Sequence, residues 1–264
     1  MNKKQLILLC MLAVGGSVQA QQWPDTPAEA RPGTRWWWLG SAVDEKNLTY
    51  NLEEYARAGM GAVEITPIYG VQGNDANDIQ FLSPRWMEVL KHTQEEKRTG
   101  IEIDMNTGTG WPFGGPEVSI EDAASKAIFQ TYDIEGGQEI VQDINVTDKK
   151  QQPYSVLSRV MANDENGRCI NLTSHVRKDK LEWKAPAGKW KVIALYNSKT
   201  RQKVKRAAPG GEGYVMNHLS KNAVKNYLSR FDRAFKSSKT SYPHTFFNDS
   251  YEVYQADWTE DFLD

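Results

Sequence analysis

The chain has 264 residues, with 32 basic and 34 acidic side chains and a formal net charge of −2. This length suits one large domain or two ordinary ones. The balanced charge excludes a protein that binds nucleic acid or an anionic membrane surface by neutralising phosphates. Aromatic residues make up 11% of the chain, which suits a packed core and, equally, a carbohydrate site in which flat rings lie against sugars.

The first 20 residues are predicted to be a secretory signal peptide. They begin with Lys3 and Lys4, continue with an apolar run from Leu6 to Val14, and end at the small-residue cleavage site Val18-Gln19-Ala20. Such a run is too short to span a bilayer. We therefore expect export to the periplasm or the exterior, with no membrane contact after cleavage.

Residues 21 to 126 are predicted to form the first part of a (β/α) barrel. RWWWLG, GAVEITPI and IEIDMNTG have the apolar or β-branched composition of buried strands. Between them lie two predicted helices, one with Asp44 and Glu45 in an acidic first turn, the other with Ser83 as N-cap before Pro84. Strands at roughly 30-residue spacing predict βαβ units, a parallel sheet and right-handed crossovers.

Residues 127 to 205 have a different pattern. Short alternating runs from Ala127 to Tyr132, Tyr154 to Ala162 and Trp190 to Tyr196 are separated by segments such as EGGQ and NDENGR. Those segments have the composition of turns. This part is therefore predicted to be an inserted antiparallel β domain.

Residues 206 to 264 return to the first pattern. An amphipathic helix is predicted after Ser220 as its cap, HTFFNDSYE is predicted to be the fourth parallel strand, and DWTEDFLD to begin the next helix. That last helix has no C-terminal stop signal before Asp264. The chain is therefore expected to be truncated after its fourth strand.

Four parallel strands belong either to an open doubly wound sheet or to half of a (β/α)8 barrel. GTGWPFGG has Trp, Pro and Phe between its glycines and no helix directly after it, which makes a dinucleotide-binding loop a poor fit. The pattern favours an α/β fold: an incomplete TIM-type barrel of about four βα units with an inserted antiparallel β domain. In such a half barrel, Val63, Ile65, Ile103 and Phe246 are expected to lack the opposite wall of the core.

The C-terminal segment carries the candidate catalytic residue. Glycoside hydrolysis needs two carboxyl groups, one of which remains protonated near neutral pH. Glu252 lies between Tyr251 and Tyr254 at the end of an apolar strand, and burial beside aromatic rings raises the pKa of a carboxyl group. Glu252 is therefore predicted to be the general acid; the alternative is a solvated loop residue.

Six further residues at predicted strand ends or in the glycine-rich loop are candidates for substrate binding. They are Trp37, Trp38, Asp104, Asn106, Trp111 and Asp249. Because strand neighbours alternate in direction, at least one residue of Trp36 to Trp38 serves packing alone. Asp249 either positions a sugar hydroxyl or caps a turn, and the amide of Asn106 can both donate to and accept from a hydroxyl.

Three segments in the same order resemble the glycoside hydrolase family 106 α-L-rhamnosidases. They are RWWWLGSAVDEKNLTYNLEEYARAGMGAVEI, IDMNTGTGWPFGGP and NDSYEVYQADWTEDF. The resemblance implies a (β/α)8 catalytic barrel with added β domains and an inverting mechanism that depends on calcium. It also implies that Glu252 is the general acid, while the base and most calcium ligands lie in later strands, so no metal ligand is identified in this chain.

The leading hypothesis is an exported α-L-rhamnosidase that removes terminal rhamnose from plant-type oligo- or polysaccharides. This chain is expected to be its N-terminal part, inactive alone because it lacks the base. Two alternatives remain open. One is a non-catalytic carbohydrate-binding protein, and the other is a non-functional gene fragment.

Overall fold

A computed structural model describes residues 24–263, so the predicted signal peptide lies outside the described residues. The strands are β1 (Gly33–Leu39), β2 (Ala62–Ile68), β3 (Glu102–Asn106), β4 (Gly114–Gly115), β5 (Ser125–Glu135), β6 (Glu139–Asp143), β7 (Val156–Asp164), β8 (Cys169–Asn171), β9 (Val176–Arg177), β10 (Lys180–Lys184), β11 (Lys189–Lys199), β12 (Tyr214–Val215) and β13 (Phe246–Phe247). The α-helices are α1 (Glu45–Arg57), α2 (Pro84–Glu95) and α3 (Lys221–Ser238). Short 3-10 helices span Ala28–Ala30, Asp75–Asn77, Lys97–Thr99, Gln152–Tyr154 and Thr173–His175.

A four-stranded parallel sheet is the scaffold of the α/β part. Its strands lie side by side in the order β1-β2-β3-β13. The first three predicted strands are confirmed. The fourth is much shorter than predicted, because only Phe246 and Phe247 pair with β3 and residues 248–253 have no regular structure.

Side-chain caps fix where the helices begin. Asp44 accepts a hydrogen bond from the backbone N–H of Asn47 before α1, and Ser83 and Ser220 make the equivalent bonds before α2 and α3. Each such cap stabilises its helix by about 0.5–2 kcal/mol. The caps predicted at Ser83 and Ser220 are confirmed.

One face of the parallel sheet packs against these helices. Trp36 lies edge-on to Tyr55 of α1, with ring centroids 5.6 Å apart, and Trp38 contacts Trp86 of α2 at 5.7 Å. Of the four residues expected to lack a wall, Val63, Ile65 and Ile103 are buried in this first core, whereas Phe246 is 37% exposed. The expectation was wrong for the first three, because their side chains point to the helices and not to the other face of the sheet.

The antiparallel strands lie between β3 and α3 in the chain. They form a four-stranded sheet in the order β5-β11-β7-β8 and a three-stranded sheet in the order β6-β10-β9. The two sheets enclose a second core that includes Trp183, Trp190 and Val192. The predicted alternating runs beginning at Ala127 and Trp190 lie within β5 and β11, and the run beginning at Tyr154 overlaps β7 from Val156 onward. The domain boundaries near residues 126 and 205 stay predictions.

Glycines of the GTGWPFGG segment permit backbone contact where the chain enters and leaves the antiparallel region. A Cβ atom at Gly110 would lie 2.0 Å from the carbonyl oxygen of Lys205, and one at Gly114 would lie 2.0 Å from that of Tyr214. No side chain fits at those distances. The glycines therefore serve the pairing of β4 with β12 and of Trp111 with Lys205.

The helix predicted to begin in DWTEDFLD is wrong for the described residues. Residues 260–263 form turns, and Trp258 makes an isolated antiparallel bridge with Ser125. The Trp258 ring is buried and packs against Phe262 at a centroid distance of 4.7 Å. These tertiary contacts hold the segment in a bridge and turns and override its local helical pattern.

Within residues 24–263, no helix has both the length and the apolar composition of a membrane span.

Candidate active site

The face of the parallel sheet opposite the helices carries a row of charged side chains. The strand register sets Arg35 of β1 opposite Glu64 of β2, and Glu64 opposite Asp104 of β3. Because side chains alternate along a strand, these three residues share the face that points away from the helices. We call it the polar face.

Arg35 connects the polar face to the C-terminal segment. Its Nε atom lies 3.2 Å from Glu64 Oε1, and its Nη1 atom lies 2.8 Å from Asp249 Oδ1. Its guanidinium group also lies over the rings of Trp37 and Phe247, at 5.2 and 5.3 Å from the centroids. One cation thus holds two carboxylates and two aromatic rings together on this face.

The candidate substrate residues Asp249, Asp104 and Trp37 all lie on the polar face. Asp249 is fixed there by its ion pair with Arg35. Asp104 Oδ1 is 3.1 Å from Nδ1 of His244, and Trp37 is 43% exposed. Their roles in substrate binding stay predictions, but their positions are compatible with them.

Trp38 is separated from the other candidates. It is 1% exposed and lies on the helix side of β1, against Trp36 and Trp86. Alternation puts neighbouring side chains on opposite faces, so Trp37 and Trp38 do not line one surface. The structure gives Trp38 a packing position, in place of the predicted sugar contact.

Asn106 and Thr109 are buried polar residues near the carboxyl end of β3. Asn106 is 0% exposed and Thr109 is 1% exposed. Within the described residues, both side-chain amide atoms of Asn106 and the hydroxyl of Thr109 lack a hydrogen-bond partner. An unpaired buried polar group costs about 1–3 kcal/mol. These atoms therefore favour a partner that the described residues do not supply.

Trp111 follows in the same loop and is half-buried. Its backbone N–H donates to the carbonyl oxygen of Lys205 at 3.0 Å, and the Lys205 N–H donates back at 2.9 Å. The loop is therefore fixed at the carboxyl end of the sheet. The sugar-binding role of the Trp111 ring stays a prediction.

Glu252 lies beyond β13 in a segment without regular structure. It is exposed, and the neighbouring Tyr251 and Tyr254 are 69% and 63% exposed. The burial between aromatic rings that the sequence argument assumed is absent from the described residues. Asp249, three residues earlier, nevertheless holds this segment to the polar face.

His218 is a further residue beside this segment that the sequence did not indicate. Its ring lies edge-on to that of Tyr251, with centroids 4.9 Å apart. Burial lowers the pKa of His218 below its ordinary value, because the charged ring is less well solvated there. The neutral ring is therefore favoured at neutral pH.

Sequence reasoning also missed Arg35 as a member of the site. A usable signal was present for Arg35, because a charged residue next to Trp36 in an alternating strand marks the face that does not enter the core. No local signal identified Asp249 as its partner, since the two residues are far apart in the chain.

Cavity volume does not locate the site. Arg35, Glu64 and Asp104 line a cleft of only about 190 Å³, whereas a larger cleft of about 530 Å³ lies beside Trp190 in the antiparallel region. Ligand pockets are typically ~300–1,000 Å³. Within the described residues, no second wall faces the polar face. The types of side chain present therefore locate the site better than the enclosed volume does.

The calcium site that the family resemblance implies stays a prediction. Among residues 24–263, no group of three or more His, Cys, Asp or Glu side chains could hold a metal ion. Glu64 and Asp249 are both paired with Arg35, which opposes a second cation between them.

Comparisons with known proteins give one family model and two similar proteins. The family model described as alpha-L-rhamnosidase, glycoside hydrolase 106, matches residues 24–163 and 145–264. One similar protein comes from Formosa agariphila and is named as a proposed beta-glucuronidase. The alignment extends over 280 residues at 26% identity and covers 89% of this chain and 24% of that protein. The chain thus spans about a quarter of the length of this relative.

A solved structure has the same fold. The rhamnosidase from Novosphingobium sp. PP1Y superposes with a TM-score of 0.69 at 15% sequence identity, over 89% of this chain and 40% of that one. The match shows that the mixed α/β arrangement described above corresponds to part of a larger chain in that protein.

Proposed function

Because the chain belongs to the glycoside hydrolase 106 family, described as alpha-L-rhamnosidase, we propose that it supplies the general acid of an exported α-L-rhamnosidase. The family match across residues 24–264 carries the proposal. The ion pair between Arg35 and Asp249 supports it, since this pair brings the segment that contains Glu252 to a polar, aromatic surface.

The parallel sheet is proposed to be half of a (β/α)8 barrel. Its four strands are neighbours in chain order, and the residues of its helix-side face form one core with residues of α1, α2 and α3. Open parallel sheets are covered by helices on both faces, whereas a barrel keeps its helices outside and turns the other face inward. The polar face would then line the barrel interior.

The proposed reaction is inverting hydrolysis of a terminal rhamnoside. The Glu252 carboxyl donates its proton to the departing glycosidic oxygen, while a second carboxylate removes a proton from the attacking water. In inverting enzymes these groups are ~6.5–9.5 Å apart. The base is proposed to lie outside residues 24–263.

The exposure of Glu252 imposes a condition on this proposal. General acids act in sites from which bulk water is excluded, whereas Glu252 is exposed in the described residues. Cover over Glu252 must therefore come from the substrate or from residues outside the described part. Trp37 supplies an exposed flat apolar ring against which a sugar can lie.

The test is Glu252→Gln in the full-length protein. Loss of the proton donor should lower kcat on natural rhamnosides by about 10²–10⁴-fold, and much less on 4-nitrophenyl α-L-rhamnoside, whose leaving group needs no proton. Glu182→Gln, at an exposed position of β10, is the matched control. Equal rates for wild type and Glu252→Gln on both substrates would remove Glu252 from the mechanism.

The relative from Formosa favours a second candidate, hydrolysis of β-glucuronides. A glucuronide carries a carboxylate that needs a cation, and Arg35 is already shared by Glu64 and Asp249. We therefore expect a higher kcat/KM for the 4-nitrophenyl rhamnoside than for the glucuronide. The opposite ranking would favour the second candidate, and tight rhamnose binding without turnover of either would favour a non-catalytic binding protein.

A further inference from the structure

One side chain holds the backbone on both sides of Val253. Gln202 Nε2 donates to the carbonyl oxygen of Glu252 at 2.7 Å, and Gln202 Oε1 accepts from the backbone N–H of Tyr254 at 3.0 Å. Gln202 is 50 residues from Glu252 in the chain. The contact is therefore tertiary, and it touches the backbone of the proposed general acid directly.

The two hydrogen bonds of the Gln202 side chain have the pattern of a parallel β-bridge. In a parallel ladder, one residue donates to the carbonyl before its partner and accepts from the N–H after it. The amide of Gln202 makes the same two bonds around Val253. It thereby fixes the backbone immediately after Glu252, in a segment that has no strand or helix of its own.

Gln202 is itself anchored by its backbone. Its N–H donates to Thr200 Oγ1 at 3.3 Å, and its carbonyl oxygen accepts from the N–H of Val215 at 3.0 Å. Thr200 in turn donates to the carbonyl oxygen of Ala124 at 2.8 Å. Gln202 follows β11 by three residues, so the long central strand of the antiparallel sheet ends at this contact.

The same end of the antiparallel sheet holds the residues after Glu252. The N–H of Ala127 in β5 donates to Asp257 Oδ1 at 2.8 Å, and Ser125 forms the bridge with Trp258. Lys205 Nζ lies 4.6 Å from the centroid of the Tyr254 ring. Residues 252–258 are thus tied to the antiparallel region at several points.

We propose that Gln202 is a positioning residue for Glu252, and that the antiparallel region acts through Gln202 to orient the general acid. This inference rests on the proposed function. An amide is suited to the task because it both donates and accepts, whereas a Leu side chain of similar size does neither. Orientation matters since a small misplacement of a catalytic group slows the reaction without weakening substrate binding.

The first test measures the contact itself by hydrogen exchange of the full-length protein. Gln202→Leu should accelerate exchange of the Tyr254 amide. Gln152→Leu is the matched control, since Gln152 Nε2 also donates to a backbone carbonyl, that of Val146, at 2.7 Å within the antiparallel region. The control should leave Tyr254 unchanged. Equal exchange of Tyr254 in wild type and Gln202→Leu would overturn the proposal.

The second test measures the role in catalysis. Gln202→Leu should lower kcat on natural rhamnosides by about 10–100-fold, with little change in KM and a much smaller loss on the 4-nitrophenyl rhamnoside. A merely structural role would lower both rates equally. If Gln202→Leu does not fold, Gln202→Glu replaces it, because a carboxylate keeps the acceptor for Tyr254 and loses the donor to Glu252.

A double-variant comparison separates this inference from the proposed function. Glu252→Gln combined with Gln202→Leu should be no slower than Glu252→Gln alone, since there is no longer a proton donor to orient. A further multiplicative loss would overturn the positioning role of Gln202 while the proposed function stands. If Glu252→Gln alone leaves both rates unchanged, the proposed function fails.

Discussion

The two faces of the parallel sheet differ in polarity and in burial. The face against the helices presents Trp36, Val63 and Met105, all buried in one apolar core. The other face presents Arg35, Glu64 and Asp104, with Trp37 exposed beside them. Burial of apolar area explains the first face. The second face lacks this stabilisation from apolar burial. Such departures from a core pattern are expected where a protein binds a ligand or catalyses a reaction.

The largest contrast between the faces is expected at adjacent tryptophans. Trp38→Ala should destabilise the protein by about 3–5 kcal/mol, because it opens a cavity among packed rings. Trp37→Ala should cost less than about 1 kcal/mol, because its ring is already partly in water. Urea unfolding monitored by circular dichroism checks both. Equal losses for the two variants would mean that the faces are not distinct.

A smaller effect is expected from the cation of the polar face. Arg35→Met should cost about 1–3 kcal/mol, because it leaves Glu64 and Asp249 without their shared partner. Its matched control is Arg85→Met on the helix surface, where the pair with Glu45 is more exposed and should contribute less than about 1 kcal/mol. Thermal unfolding of the two variants compares them. A larger loss for Arg85→Met would contradict a special role for Arg35.

The smallest effect is expected from pH at His218. Its pKa is lowered by burial from the ordinary 6.5, so the unfolded chain binds a proton more readily than the folded one. The stabilising contribution is therefore present above about pH 6.5 and is lost as pH falls from there toward the lowered folded pKa. His218→Phe should show a smaller fall in urea midpoint between about pH 7 and 5.5 than wild type. An equal fall would assign the pH dependence to other groups.

The order of elements in the α/β part was predictable from local signals. Ser83 and Ser220 predict the starts of their helices, because an N-cap side chain bonds a backbone N–H no more than three residues away. The antiparallel region was predictable from alternation and turn composition. Each of these features depends on residues that are neighbours in the chain, so the sequence alone was enough to predict it.

The features that the sequence did not reveal depend on distant residues. Arg35 marks its own face of β1 as the one outside the core, but the carboxylates that meet it there, Glu64 and Asp249, come from distant parts of the chain. The bridge of Trp258 with Ser125, which replaces the predicted helix, joins residues far apart in the chain. The hydrogen bonds between the Gln202 side chain and the backbone of Glu252 and Tyr254 also join residues far apart in the chain. No local sequence pattern predicts them.

The most direct measurement of the central claim, that the polar face binds the sugar, is hydroxyl-radical footprinting of the full-length protein with and without rhamnose. Saturating rhamnose should reduce oxidation of Trp37 and Tyr251, while Tyr50 and Phe129, which are 57% and 59% exposed elsewhere, should oxidise as before. Unchanged oxidation of Trp37 and Tyr251 at saturation, with protection confined to the cleft beside Trp190, would contradict the account.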